Sequence, residues 1–299
     1  MKESQNVEYK QNWHDDHLKW ICGFANGQGG HLYIGVNDET NVIGLANTKK
    51  LLDDLPNKIR DILGIVVEVN LLQKNEIDYL DIVTQPYSVP VSLRGRYYIR
   101  SGSTLQELKG NALNDFLLKK FGKSWDDVIE PHAGYSDIDE KSIEYYLKTS
   151  EKSGRLPETE GMDISELFEK LRLSENNQLK RAAIVLFGKD PGKYYPGMTV
   201  KMGRFGKSDD DLKYEETEDG NLIQLLQRVA EQLNRKFFIK PVEFKGLQRI
   251  ETEEYPVAAI REVLLNALVH RDYRGSNIQI RVYDDKFCVW NEGLLPQGL

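Results

Sequence analysis

The sequence predicts a mixed protein of the α/β to α+β class, built from more than one compact unit. Its 299 residues exceed the usual reach of one hydrophobic core. Helical and alternating apolar patterns replace one another along the chain, with turn residues at many of the changeovers. An apolar content of 40% and a charged content of 29% belong to a folded chain rather than a disordered one.

Residues 1–130 read as the first unit. Leu18, Ile21, Cys22 and Ala25 have helical spacing, and Asn26-Gly27 should stop that helix before the strand HLYIGV. Leu51, Leu52, Leu55, Ile59 and Ile62 indicate a second helix, which Pro56 should start late or kink. VVEVNLL and IDYLDIV are β-rich, and RYYIR follows the Arg94-Gly95 turn. Thr104 and Glu107 have capping-box spacing, ahead of a helical pattern through Phe116, Leu117 and Phe121.

Residues 131–250 read as a middle α/β region. It opens with a helix marked by Ile143, Tyr146 and Leu147, and the polar run EKSGRLPETEG is its linker candidate. Asp163 and Glu166 form a second capping-box pattern, RAAIVLFG fits a buried helix or a strand, and Ile223, Leu226, Val229, Ala230 and Leu233 mark an amphipathic helix. Residues 251–299 form the last unit. Pro256 suits the first turn of a helix running to about His270, and NIQIRVY and KFCVWN pair across Asp284-Asp285.

The formal net charge of -7 excludes a polybasic protein that coats nucleic acid by charge alone, while leaving room for a local basic surface. Cys22 and Cys288, far apart and each in an apolar run, read as buried thiols of a reducing compartment. The N-terminus is too polar for a secretory signal, and no apolar run has the length of a membrane span, so the expected location is the cytoplasm, with no membrane partner.

Four stretches carry candidate chemistry. Glu3 and Glu8 flank a short polar stretch and Asp38 follows HLYIGV; three carboxylates gathered by a fold could hold Mg2+ or Mn2+ for phosphodiester cleavage. From residue types alone, solvated termini and a turn residue are the simpler reading, since carboxylates at loop positions are commonplace. The glycines of FANGQGG either bring amides close to a phosphate or simply turn a helix into a strand. Arg94, Arg96 and Arg100 interleave with Tyr97 and Tyr98, a pattern that suits both phosphate and base contacts and a solvated edge strand. In REVLLNALVHRDY, Glu262, Asn266 and His270 recur every fourth residue as a polar stripe opposite Ile260, Leu264, Ala267 and Leu268. FGKSW lacks the earlier glycine of a phosphate-binding loop, since Leu117 stands there, and Lys123 should be an ordinary surface residue.

ESQNVEYK, FANGQGGHLYIGVNDETNVIGL and YYIRSGSTLQEL, in that order, resemble the AlbA-2 domain shared by bacterial regulators and Schlafen proteins. The resemblance implies nucleic-acid binding, for which Lys10, Arg94, Arg96, Tyr97, Tyr98 and Arg100 are the candidate contacts. It also brings in the acidic triad of RNA-cleaving Schlafens, which maps to Glu3, Glu8 and Asp38, although Asn37 directly follows Val36. The REVLLNALVHRDY helix and VYDDKFCVWNEGLLPQGL resemble the start of a GHKL-type ATP-binding module. That resemblance makes Glu262 the water-polarising base and Asn266 the Mg2+ ligand. Asn291 stands at the adenine-recognising position, Gly293 is the glycine retained, and Leu295 replaces a second.

The expected architecture is thus an AlbA-2 domain, an α/β middle region and an incomplete GHKL-like sandwich, truncated before its lid. The expected function is a nucleic-acid-binding transcriptional regulator whose C-terminal module senses ATP in the full-length protein and binds it weakly or not at all in this chain. A divalent-metal endoribonuclease and a non-catalytic assembly scaffold are the alternatives, and a homo-oligomer is left open.

Overall fold

The computed structural model describes residues 3–153, 161–239, 242–245, 248–251 and 254–293. The chain divides into two compact units, Met1–Trp125 and Asp126–Leu299.

The first unit contains β1 (Val7–Lys10), α1 (Leu18–Asn26), β2 (Gly30–Ile34), α2 (Thr48–Leu63), β3 (Glu68–Lys74), β4 (Ile77–Thr84), β5 (Tyr97–Ser101), β6 (Thr104–Leu108) and α3 (Gly110–Lys120). Its sheet has the order β1-β2-β4-β3, with β1 parallel to β2 and the other pairs antiparallel. Alternation along β2 and β4 sends Leu32, Ile34, Leu80 and Ile82 to one face, where α1 and α2 bury Leu18, Ile21, Leu55 and Ile59 against them. At the changeover from α1 to β2 the glycines serve packing. Gly29 has φ +79°, and a Cβ on Gly30 would lie 2.5 Å from the Phe24 ring. The Gly27 and Gly29 amides donate to Phe24 O at 3.1 and 2.9 Å, so they turn the chain instead of facing an anion.

Two expectations for this unit change. Of the late start or kink expected at Pro56, the late start does not occur: α2 begins at Thr48 and runs on through the proline, its apolar face packed into the core. Thr104 and Glu107 do not cap a helix. They lie in β6, which pairs with β5 around Gly102 (φ +59°), and Thr104 Oγ1 donates to Ser101 O at 2.8 Å. The β5–β6 hairpin packs on α1 so closely that a Cβ on Gly23 would sit 2.7 Å from Leu105 Cδ1.

The second unit contains α4 (Glu140–Ser153), α5 (Ile164–Lys170), the short pair β7 (Ser174–Glu175) and β8 (Gln178–Leu179), α6 (Arg181–Phe187), β9 (Thr199–Phe205), β10 (Leu212–Asp219) and α7 (Leu222–Gln232). β11 (Val242–Lys245), β12 (Gln248–Glu251), α8 (Val257–Val269), β13 (Ile278–Val282) and β14 (Phe287–Trp290) complete it. Asp163 caps α5 with Glu166 in reciprocal contact, as its spacing predicts, and RAAIVLFG resolves as helix. Most of the linker candidate lies outside the described residues.

The second unit's larger sheet runs β10-β9-β13-β14, with Met202 of β9 paired to Ile280 of the parallel β13. The division expected near residue 250 therefore falls inside one unit, because strands from both sides of it share this sheet. Cys22 is buried, with its thiol pushed up to about 11 by desolvation, whereas Cys288 is exposed on the edge strand β14 and is not the buried thiol expected.

Candidate nucleic-acid interface

The N-terminal carboxylates are placed by β1, and they meet cations instead of one another. Glu8 is buried; its Oε2 accepts from Arg100 Nη1 of β5, and its Oε1 lies 2.5 Å from Lys10 Nζ. Glu3 Oε1 is 3.7 Å from the same ammonium. Asp38 is exposed, and the turn after β2 is closed by Asn37, whose Oδ1 accepts from Asn41 N at 2.8 Å. Among the described residues no group of three or more His, Cys, Asp or Glu could hold a metal ion. The metal set Glu3, Glu8, Asp38 is accordingly not assembled. Glu8 is neutralised by a guanidinium and an ammonium, and Asp38 stands in a solvated turn.

Arg100 changes role for the same reason. Its side chain is 1% exposed and stacks 5.2 Å from the Phe24 ring. Its Nη2 donates to Ser4 O at 2.5 Å and Val7 O at 3.4 Å, and its own carbonyl accepts from Gln5 Nε2 at 2.8 Å. It fastens the first residues to the hairpin and offers nothing to a phosphate. Tyr98, on the same face of β5, is buried. Lys10 sits between two carboxylates and 4.9 Å over the Trp20 ring, so it too is taken up internally.

Three buried polar residues without a sequence motif of their own complete this core. Asn26 Nδ2 donates to Val91 O (2.8 Å) and Tyr98 O (2.9 Å), and its Oδ1 accepts from Val91 N (2.9 Å), so one amide fixes both the loop and β5. His17 is enclosed by edge contacts with Trp13, His14 and Trp20, and its Nδ1 accepts from His14 N at 3.3 Å. Burial, then the Lys10 charge, hold its pKa down at about 4. Asp81 lies 3.1 Å from His31 Nδ1 on the sheet face away from the helices, and its pKa is raised by burial. A Trp-His-rich stretch and an aspartate inside an apolar strand were the available signals.

What remains accessible is cationic. Residues 94–123 hold seven Lys and Arg against two Asp and Glu. Arg94, with φ +51°, and Arg96 are exposed at the start of the hairpin; Lys109, Lys119 and Lys123 are exposed after it. Lys123 is thus the surface residue expected. Arg96 Nη1 and Lys109 Nζ lie 3.7 and 3.4 Å from Glu107, which therefore holds both while leaving them 66% and 74% exposed. Tyr97 is half-buried, its ring 6.1 Å from Phe116. Lys120 is turned inward to donate to Tyr87 O, and burial lowers its pKa.

In the second unit, Glu262 and Asn266 stand exposed on α8, with Asn266 Nδ2 donating to Glu262 Oε1 at 3.2 Å. α8 is less enclosed than its apolar composition suggests, since Val257, Val263 and Val269 are 58%, 40% and 51% exposed. Asn291 Nδ2 donates to His270 O at 3.2 Å, and a Cβ on Gly293 would collide with that carbonyl. Both residues thus close the C-terminal end of α8. Leu295 lies outside the described residues.

An N-terminal mixed sheet backed by two helices, with an applied hairpin, is the frame of a domain family. The family model described as Schlafen, AlbA_2 matches residues 3–109, and this stretch is similar to that domain. No curated protein matches the chain. Among solved structures, the DIP2311 protein from Corynebacterium diphtheriae is 17% identical with a TM-score of 0.45, over 99% of this chain and 62% of that one. This chain therefore spans less than two thirds of that protein. The N-terminal domain of a RecG-related protein from Nitrosomonas europaea is 23% identical with a TM-score of 0.27, over 37% of this chain and 88% of that domain. No helix among the described residues is long and apolar enough to cross a membrane.

Proposed function

We propose that the chain is a nucleic-acid-binding regulatory protein whose AlbA-2 domain contacts the phosphate backbone through the outer side of the β5–β6 hairpin and α3. The observation that carries this reading is the concentration of exposed Arg94, Arg96, Lys109, Lys119 and Lys123 in a unit otherwise rich in acids. Exposed guanidinium and ammonium groups gain affinity by releasing counterions condensed on a polyanion. Tyr97 supplies an aromatic edge beside them for an unstacked base. Labelled single- and double-stranded DNA and RNA, titrated at several salt concentrations, test the proposal; salt-insensitive or absent binding to all four removes it.

The endoribonuclease reading asks three carboxylates to share an ion, and Glu8 already has two cationic partners. In the second unit, Glu262 and Asn266 fit a helix that polarises water and holds a phosphate-bound Mg2+, since both face solvent one turn apart. Nucleotide sensing by this helix is accordingly part of the proposal. Asn291, engaged by the His270 carbonyl, is poorly placed to recognise a purine here.

A further inference from the structure

The second unit has a half-open cavity of about 500 Å³ among α4, α7, α8, Phe238 and Tyr255. That is the size of a small-molecule site, typically about 300–1,000 Å³. Tyr145 and Tyr146 of α4 form one side; Phe238 and Tyr255 form another; Leu226 and Ala230 of α7 contribute the aliphatic part. The aromatic walls are held by further rings. Phe287 lies 5.5 Å from Phe238 and 5.8 Å from Tyr255, while Phe187 lies 5.5 Å edge-on from Tyr146. Such a cavity is shaped before a ligand enters, which lowers the ordering cost of binding. Its mouth is apolar as well, with Tyr145 46% and Val257 58% exposed.

Among the lining residues described, Arg261 is the charged one, and it is exposed with no ion pair among the described residues. At about 100° per residue, Val257, Ile260 and Arg261 share one side of α8, while Glu262 and Asn266 lie roughly opposite. The cavity is therefore separate from the stripe assigned to nucleotide.

We propose that this cavity binds a compact aromatic monoanion, its rings between the aromatic walls and its carboxylate or sulfonate on Arg261. A nucleotide triphosphate does not fit this chemistry: one guanidinium faces it, in a unit that carries the chain's entire formal net charge of -7. A single anion on a mostly apolar body has little repulsion to overcome and gains from burying its rings. The assignment is independent of nucleic-acid binding by the first unit.

The test uses the full chain and two probes with the same rings, 8-anilinonaphthalene-1-sulfonate and the uncharged N-phenyl-1-naphthylamine, followed by fluorescence and calorimetry. The expected result is one saturable site for each. Arg261→Gln, at an exposed position, should weaken the sulfonate about tenfold, the effect of one charge-assisted contact, while moving the amine less than about twofold. Ala230→Trp should fill the space and abolish both. No saturable binding by the wild type overturns the proposal. So does an Arg261→Gln variant that binds the sulfonate unchanged or weakens both probes alike. A folded Ala230→Trp variant that binds as the wild type does also overturns it; laurate, as a competitor, should displace the sulfonate less well than naphthoate, and the reverse order would refute the aromatic assignment.

Discussion

Arg100→Ala should destabilise the first unit far more than a surface substitution would. Arg100 and Glu8 are 1% and 4% exposed, and the guanidinium also holds the Ser4 and Val7 carbonyls and covers Phe24. Removing one partner of a buried pair leaves the other charge uncompensated, at about 3–5 kcal/mol. With a urea dependence of about 2 kcal/mol per molar, the unfolding midpoint of this unit should fall by about 2 M. Glu8→Gln should lose somewhat less, since the amide still accepts one hydrogen bond. Glu8→Leu/Arg100→Met removes both charges and should cost less than the sum of the single changes. The assay is a urea titration read by hydrogen exchange of the Val7–Lys10 amides, which belong to the strand the pair fastens. An Arg100→Ala midpoint within about 0.3 M of wild type would refute the reasoning, because surface changes reach that size. Additive single and double effects would refute the pairing.

Further outcomes follow from the same core. His17 is neutral in the folded protein, with a pKa of about 4 against an ordinary 6.5. The unfolded chain therefore binds more protons between those values, so this contribution is full above about pH 6.5 and is lost as the pH falls through 4. The sum is about 3 kcal/mol, and His17→Gln should flatten that part of the stability–pH curve. Asn26→Ala leaves Val91 N, Val91 O and Tyr98 O without their side-chain partner and should cost about 2–4 kcal/mol in the same urea titration. Millimolar Mn2+ should leave the melting temperature of the chain unchanged to within about 1 °C, because a ligand that binds the folded state raises it and Glu8 is already paired; a rise of several degrees, removed by Glu8→Gln, would restore the metal site.

Much of the fold was legible because burial follows period. The faces of α1 and α7, the alternation of β2, and the Asp163 cap all follow from spacing within one element. Readings that needed a partner element failed. Thr104 and Glu107 satisfy a capping box locally, but residues 97–101 pair with them as a strand, and ladder hydrogen bonds win over a cap. Tyr98 and Arg100 share one face of β5, with Arg96 just before it in the same alternation, yet the sequence does not say that α1 covers Arg100 and leaves Arg96 exposed. That is why Arg100 and Tyr98 became core while Arg94 and Arg96 stayed at the surface. Glu8 read as a metal ligand or a solvated charge and Lys10 as a nucleic-acid contact, because nothing local shows that Arg100, 92 residues away, meets Glu8. The boundary near 250 shows the same limit, since the pairing of β9 with β13 is a long-range choice.

The central claim, a phosphate-binding surface on the outer side of the hairpin and α3, is tested most directly by the salt dependence of binding. Each cation on a duplex phosphate contributes about 0.9 to the slope of log affinity against log salt, and about 0.7 on a single strand. Arg94→Gln/Arg96→Gln/Lys119→Gln/Lys123→Gln changes four exposed side chains. The account predicts that this variant keeps the wild-type urea midpoint and loses about 3.6 from the duplex slope, or about 2.8 from the single-strand slope. A variant that is stably folded and binds with the wild-type slope would contradict it, and would place any nucleic-acid surface elsewhere on the chain.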